Sequence, residues 1–229
     1  AKKYQKSSNI QTAMKEKNSA NYLLGKVIVI FHYLFGAKMN NKIIALAGFS
    51  SAGKDTLAKF MSEELGYDFV VSHTTRPMRP GESEGNPYYF INDNEMCSLA
   101  INNKLVEARE YDSIYGKWFY AVSKDEINDD KKYIVVVDIN GYKQLKEYFG
   151  DRVIGIFIES SEPERRARAI ASRADFNIDE WNRRFKDDIK KFPQNLINKY
   201  FKLKFKNKDI ENSKDLLKAI SKKFDEGEI

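Results

Sequence analysis

The chain has 229 residues, a formal net charge of +6 and a single cysteine, Cys97. That length suits one domain with insertions, excludes an internal disulfide, and contains no run near the roughly 18 apolar residues of a membrane-spanning helix. The positive charge does not mark a nucleic-acid surface: residues 1–38 hold seven lysines and one acid, and the remainder balances at 32 basic and 32 acidic residues.

Residues 1–38 read as an N-terminal extension outside the main domain. Within them "VIVIFHYLFGA" follows a lysine-rich stretch and has the outline of a signal-peptide core. Phe35 is a poor residue three places before a cut after Ala37. Met39 is therefore expected to open the functional domain, residues 39–229, in a reducing, cytoplasmic setting where Cys97 stays a small half-buried thiol.

"KIIALA" (42–47) is a short apolar run followed by glycine and predicts a buried strand. Leu57, Phe60, Met61 and Leu65 then recur at helical spacing, with Gly66 as the stop. Residues 72–130 change character, with shorter elements and many turn residues, and Ser123 with Glu126 predicts a capping box. "YIVVVD" (133–138) and "VIGIFI" (153–158) are two more buried strands, separated by the helix-like "YKQLKEYF". An arginine-rich helical stretch covers 162–192, "FKLKFK" (201–206) alternates as an edge strand does, and Leu216, Leu217, Ile220 and Phe224 mark a closing amphipathic helix. Alternating strands and helices predict an α/β fold: a three-layer core on a parallel sheet, with one insertion near 72–130 and a small lid near 162–180.

"GFSSAGKDT" (48–56) lies between the first strand and the first helix. Gly48, four residues, Gly53 and Lys54 match the spacing of a phosphate-binding loop. Glycines let successive N–H groups converge on an anion, and the helix start adds its positive end. Gly48, Ser50, Ser51, Ala52, Gly53, Lys54, Asp55 and Thr56 are the expected ATP-binding residues, with Lys54 reaching the β- and γ-phosphates. Asp55 stands where a hydroxyl often contacts Mg²⁺, and Thr56 follows it. Asp138, closing a buried strand, is the expected carboxylate for Mg²⁺, acting through water.

The second informative stretch is "VSHTTRPMRPGESEGNPYYF" (71–90). Pro77 and Pro80 keep it from becoming helix, so Arg76 and Arg79 sit on a stiff loop as two guanidinium forks suited to a dianionic phosphate. With "LVEAREYDSIYG" (105–116), "VVVDINGYKQLK" (135–146) and "WNRRF" (181–185), this stretch resembles the guanylate kinase family over roughly residues 42–225. The resemblance implies a P-loop core with a monophosphate-binding insertion and a mobile lid. It places Ser72, Arg76, Arg79, Tyr88, Glu107, Tyr115 and Asn140 at the acceptor nucleotide. The phosphate goes to the two arginines and two tyrosines, and the base to Ser72 and Glu107. It also implies catalytic roles for Lys54, Arg184 and lid arginines, for which Arg168 and Arg173 are the expected pair among Arg165, Arg166, Arg168 and Arg173, with Asn207 near the adenine of ATP.

Two positions depart from the family pattern. Lys117 replaces a hydroxyl residue after "IYG", and Asn140 replaces an aspartate; both changes fall on base recognition. The resulting expectation is transfer of the ATP γ-phosphoryl group to GMP or dGMP with closure of both insertions. A kinase for another nucleoside monophosphate or for ribose 1,5-bisphosphate, and a non-catalytic protein-binding module, are the rivals. "TTRPMRPGE" weighs against the ribose kinase, and Lys54, Asp138 and Arg184 weigh against the module.

Overall fold

The structure is a computed structural model and describes residues 42–113, 116–128, 131–172 and 176–229. The expected extension, Tyr115 and Arg173 lie outside these residues. In chain order the elements begin with β1 (Lys42–Gly48), α1 (Lys54–Glu64), β2 (Asp68–Phe69), β3 (Ser72–Thr74), β4 (Ser83–Glu84), β5 (Pro87–Phe90), α2 (Asp93–Ile101), β6 (Leu105–Ser113) and β7 (Gly116–Ser123). They continue with β8 (Lys132–Val136), α3 (Ile139–Phe149), β9 (Val153–Glu159), α4 (Glu162–Ala171), α5 (Ile178–Lys191), α6 (Gln194–Tyr200), β10 (Leu203–Lys206) and α7 (Ile210–Glu226). The chain divides into two compact units. One comprises Lys42–Phe69, Lys131–Tyr142 and Val153–Ile229; the other includes Val70–Asp130 and Lys143–Arg152.

The first unit is built on a five-stranded sheet of order β10-β9-β1-β8-β2, in which every pairing is parallel. β1 is apolar without alternation because both of its faces are covered. Ile44 and Leu46, with Ile134, Ile156 and Ile158, pack with Leu57, Phe60 and Met61 of α1 and Leu217 and Phe224 of α7. On the other side, Phe157 meets Phe49 and Phe192 edge-on, and Phe201 packs against both Phe157 and Tyr142 of α3. Helices on both faces of a parallel sheet make the expected three-layer core.

Two details differ from the sequence reading. The edge strand is shorter than "FKLKFK": Phe201 leaves it and becomes a core residue. In α7, Leu216 is exposed, and the buried face runs through Ser213, Leu217, Ser221 and Phe224. The two serines are tolerated there because each has a buried partner. Ser213 Oγ donates to Asn207 Oδ1 at 3.0 Å, and Ser221 Oγ lies 3.0 Å from the Tyr67 hydroxyl.

The second unit carries a mixed sheet of order β4-β5-β3-β7-β6. Ala108 of β6 with Phe119 and Ala121 of β7 packs against Met96 and Ala100 of α2. Asn92 and Glu95 form a reciprocal capping box at the start of α2. Ser123 caps only a single 3-10 turn, Lys124–Glu126, accepting from Asp125 N rather than forming the expected box. The opposite sheet face brings Ser72, Thr74, Tyr88 and Tyr120 into line with Glu107, Arg109 and Tyr111, through the pairs Ser72–Tyr88, Thr74–Tyr120, Arg109–Tyr120 and Tyr111–Trp118.

Gly155 on β9 has no room for a side chain. An added Cβ lies 2.7 Å from Tyr142 Cε2 and 2.9 Å from Phe201 Cδ1. Gly155→Ala is expected to cost about 1–3 kcal/mol through overpacking of rings held by the core, read as a lower urea midpoint at unchanged m-value. An unchanged midpoint would show that the aromatic layer yields freely.

Candidate functional site

The loop after β1 owes its shape to two glycines. Gly48, at φ 153°, would drive a Cβ to within 2.4 Å of the Ile158 carbonyl oxygen, and Gly53, at φ 94°, would meet Asn207 Nδ2 at 2.4 Å. No side chain caps the start of α1, so the N–H groups of its first turn are presented to a ligand. Lys54 opens that helix and folds back over the loop, donating to the Phe49 carbonyl at 2.8 Å. Burial lowers the Lys54 ammonium below the ordinary lysine value, against the attraction of Asp55 and Asp188 and with the repulsion of Arg165 and Arg184. Asp55 and Thr56 are exposed on the first turn of α1.

Distant residues hold the loop in place. Asp188 of α5 accepts from Ser50 N at 2.8 Å and from Ser50 Oγ at 3.1 Å. Arg165 of α4 donates to Asp188 Oδ2 at 3.2 Å and to the Ser50 carbonyl at 3.3 Å. Its guanidinium also lies over Phe49, 4.8 Å from the ring centre. Burial outweighs these bonds for both partners, raising the Asp188 carboxyl and lowering the Arg165 guanidinium. Arg168 donates to the carbonyls of Ala52 and Asn207 and to Ser160 Oγ. Asn207 donates to Ala52 O at 2.8 Å. In this structure Arg168 and Asn207 therefore brace the loop backbone.

Arg184 donates through Nε to Glu180 at 2.7 Å, and Arg183 holds the same carboxylate. Burial works to raise Glu180, but the hydrogen bonds from Arg183 and Arg184 hold it at about 2. Asp138 stands two residues beyond Val136, whose partner Leu46 is two residues before Gly48. It is thus level with the start of the loop. It is buried, and its Oδ1 caps the next turn by accepting from Gly141 N at 2.9 Å. Asn140, in that turn, is exposed.

The second unit holds the acceptor candidates. Arg76 is 3% exposed and donates to Glu82 Oε1 at 2.8 Å and to the Pro77 carbonyl. Glu82 and Tyr120 outweigh burial and raise the Arg76 guanidinium, while Arg76 and the Arg79 backbone outweigh burial and lower Glu82. Arg79 is exposed and donates its backbone N–H to Glu82. From Arg76 a row of rings crosses the sheet: its guanidinium lies 5.4 Å from the Tyr88 ring, Tyr88 is 5.4 Å from Tyr120, and Tyr120 is 5.3 Å from Tyr111. At the far end, Glu107 has no exposed surface and is bound by Arg109. Ser72 is buried on the same face.

Lys117 is directly opposite Asp112 in the β6–β7 ladder and pairs with Glu110 and Asp112. Those residues alternate with Glu107, Arg109 and Tyr111, so the lysine belongs to the other face of the sheet. Sequence reasoning offers Arg165 only as one of several candidate lid arginines, and gives Asp188 and Arg109 no functional role. For Arg109 a signal existed: it lies two residues from Glu107 on one strand.

A glycine loop between a central parallel strand and a helix, with a lysine at the helix start, defines a P-loop nucleotide-binding protein. The family model "Guanylate kinase" matches residues 40–223. The guanylate kinase of Helicobacter hepaticus is 33% identical over 136 residues, covering 58% of this chain and 68% of that protein. "Guanylate kinase 2, chloroplastic/mitochondrial" of Oryza sativa subsp. japonica is 34% identical over 136 residues, covering 57% of this chain and 46% of its own length. The crystal structure of guanylate kinase from Anaplasma phagocytophilum superposes with a TM-score of 0.61 at 26% identity, covering 81% of this chain and 86% of that one. The chain belongs to the guanylate kinase family, a family of ATP-dependent nucleoside monophosphate kinases.

Asp188→Ala is expected to destabilise the protein by about 3–5 kcal/mol, because it leaves the Arg165 guanidinium buried without its carboxylate. Urea unfolding measures this. A loss below about 1 kcal/mol would mean that the pair is a solvated surface bridge.

Proposed function

We propose that the protein transfers the γ-phosphoryl group of ATP to GMP or dGMP, giving ADP and the corresponding diphosphate. The observation that carries this reading is Glu107: a buried carboxylate at one end of a tyrosine-lined face whose other end holds Arg76. Guanine offers adjacent donors, N1–H and the 2-amino group, and an ionised carboxylate only accepts. Adenine presents an acceptor at N1. Sites built on such bonds discriminate by about 10⁴ or more. A ribose bisphosphate has no base for Glu107 to read.

In this reading Arg76 and Arg79 take the acceptor's phosphate, with Tyr88 and Tyr115 adding hydroxyls. Ser72 contributes a further polar contact to the base. On the donor side the amides from Ser51 to Thr56 and the positive end of α1 cradle the triphosphate, and Lys54 neutralises its β- and γ-oxygens. Arg184, whose Nε is fixed by Glu180, directs its remaining N–H groups to the transferring phosphoryl. Arg168 supports the loop carbonyls, and Arg173 completes the lid's positive charge.

Mg²⁺ fits the donor set as a partner of ATP. Among the described residues there is no cluster of three or more metal-ligating side chains, and Mg²⁺ commonly uses one or two carboxylates together with substrate phosphates. Asp138, level with the loop, is the carboxylate that would hold it through water. Bound there, the ion would neutralise phosphate charge. The reaction belongs in an ATP-supplied, reducing compartment, the cytoplasm, where Cys97 stays a thiol.

The test is ADP formation from Mg·ATP with GMP, dGMP, AMP, CMP, UMP, dTMP or ribose 1,5-bisphosphate as acceptor. GMP or dGMP is expected to dominate, with Lys54→Ala losing at least about a hundredfold in kcat. A different dominant acceptor would overturn the assignment of Glu107 to guanine, and no turnover with any acceptor would overturn the kinase reading.

A further inference from the structure

We propose that Arg109 is a positioning residue for base recognition: it occupies the Glu107 carboxylate with one guanidinium edge, Nη2 by a hydrogen bond and Nε by an ion-pair contact, and it yields that place to guanine alone. This inference rests on the assignment of Glu107 to the acceptor base. Glu107 and Arg109 are two residues apart on β6, on the face that also carries Tyr111 and Tyr120. Arg109 Nη2 donates to Glu107 Oε1 at 3.0 Å, and Arg109 Nε lies 2.9 Å from Glu107 Oε2.

Glu107 is 0% exposed and Arg109 7%. A base that reads such a carboxylate must take the place of a group now covering it. The Nε and Nη2 hydrogens of a guanidinium are two parallel donors on one edge, as are the N1–H and 2-amino hydrogens of guanine. Guanine's two donors would give each carboxylate oxygen a hydrogen bond, in place of the one hydrogen bond and one ion-pair contact that Arg109 supplies. A buried charge stripped of its partner would instead cost several kcal/mol.

Other purines do not complete this exchange. Adenine brings one donor beside an acceptor nitrogen, and hypoxanthine brings N1–H without the amino group. Each leaves one carboxylate oxygen with less than Arg109 supplied. The ligand-free pair therefore acts as a threshold that a two-donor edge crosses and a one-donor edge does not.

The displaced guanidinium has a place to go. Arg109 Nη1 already lies 3.5 Å from the Tyr111 hydroxyl, and the guanidinium is 6.0 Å from the centre of that ring. Rotation onto the tyrosine keeps the cation on the site face. Lys117 does not perform this role, since Glu110 and Asp112 hold it on the opposite face.

The experiment follows the Arg109 Nε–H resonance in the full chain labelled with ¹⁵N-arginine, identified by its disappearance in Arg109→Lys. Saturation with GMP, established by calorimetry, is expected to shift this resonance as the ion-pair contact with Glu107 breaks, while AMP and IMP at the same concentration leave it in place. In steady-state assays Arg109→Met is expected to lower the GMP-over-AMP ratio of kcat/KM by at least tenfold, through the acceptor KM, with the KM for ATP unchanged. An unmoved resonance at GMP saturation would overturn the exchange even if Arg109→Met failed to fold. An unchanged ratio in a folded Arg109→Met would do the same. Failure of the wild-type protein to phosphorylate GMP would instead remove the acceptor assignment, and the exchange with it.

Discussion

A guanidinium buried in a folded protein needs a partner, because a buried cation without one is costly. This chain meets that constraint the same way four times. Arg76 is held by Glu82, Arg109 by Glu107, Arg165 by Asp188 and Arg184 by Glu180. Each carboxylate satisfies an arginine that would otherwise face a low-dielectric surround. The consequence is pre-organisation: the guanidinium groups are already fixed in orientation, so less side-chain entropy remains to be lost when an anion binds.

The phosphate-binding loop depends on the same arrangement. Glycines permit its curl, but they do not maintain it. Ser50 is tied to Asp188 by two bonds, and Ala52 O accepts from both Asn207 and Arg168. These contacts come from α4, α5 and the residue after β10, all within the unit that carries the parallel sheet. The loop is therefore a tertiary object built on a local motif. Substitutions at Asp188 of α5 reach the loop through Ser50 without touching the glycine loop's own sequence.

What the sequence made legible was local. The unbroken apolar runs at 42–47, 133–138 and 153–158 announced strands covered on both faces, and the spacing Gly48, Gly53, Lys54 announced the loop, because each signal is contained in a few consecutive residues. The two prolines around Arg76 and Arg79 likewise announced a stiff non-helical segment. The contacts that brace the glycine loop are not of this kind. Ser50 and Asp188 are 138 residues apart, and Ala52 and Asn207 are 155 apart, so no window of sequence contains both partners. Lys117 shows a subtler failure. Its position after "IYG" suggested a change in base recognition, yet its place opposite Asp112 in the ladder turns it to the other side of the sheet. Glu107 and Arg109 could have been paired from strand periodicity alone, whereas Glu107's complete burial needed the assembled sheet.

Lys54, lowered by burial and held against the Phe49 carbonyl, is the cation proposed to meet the nucleotide's phosphates. Calorimetric titration with Mg·ATP at alkaline pH, in two buffers of different ionisation enthalpy, tests it directly. The ligand-free ammonium lies below the usual lysine range, and an adjacent phosphate raises it again. Between the free and bound values, binding must therefore take up protons. The account requires net proton uptake in the wild-type protein and its loss in Lys54→Met. Binding with no proton uptake in the wild type would contradict it.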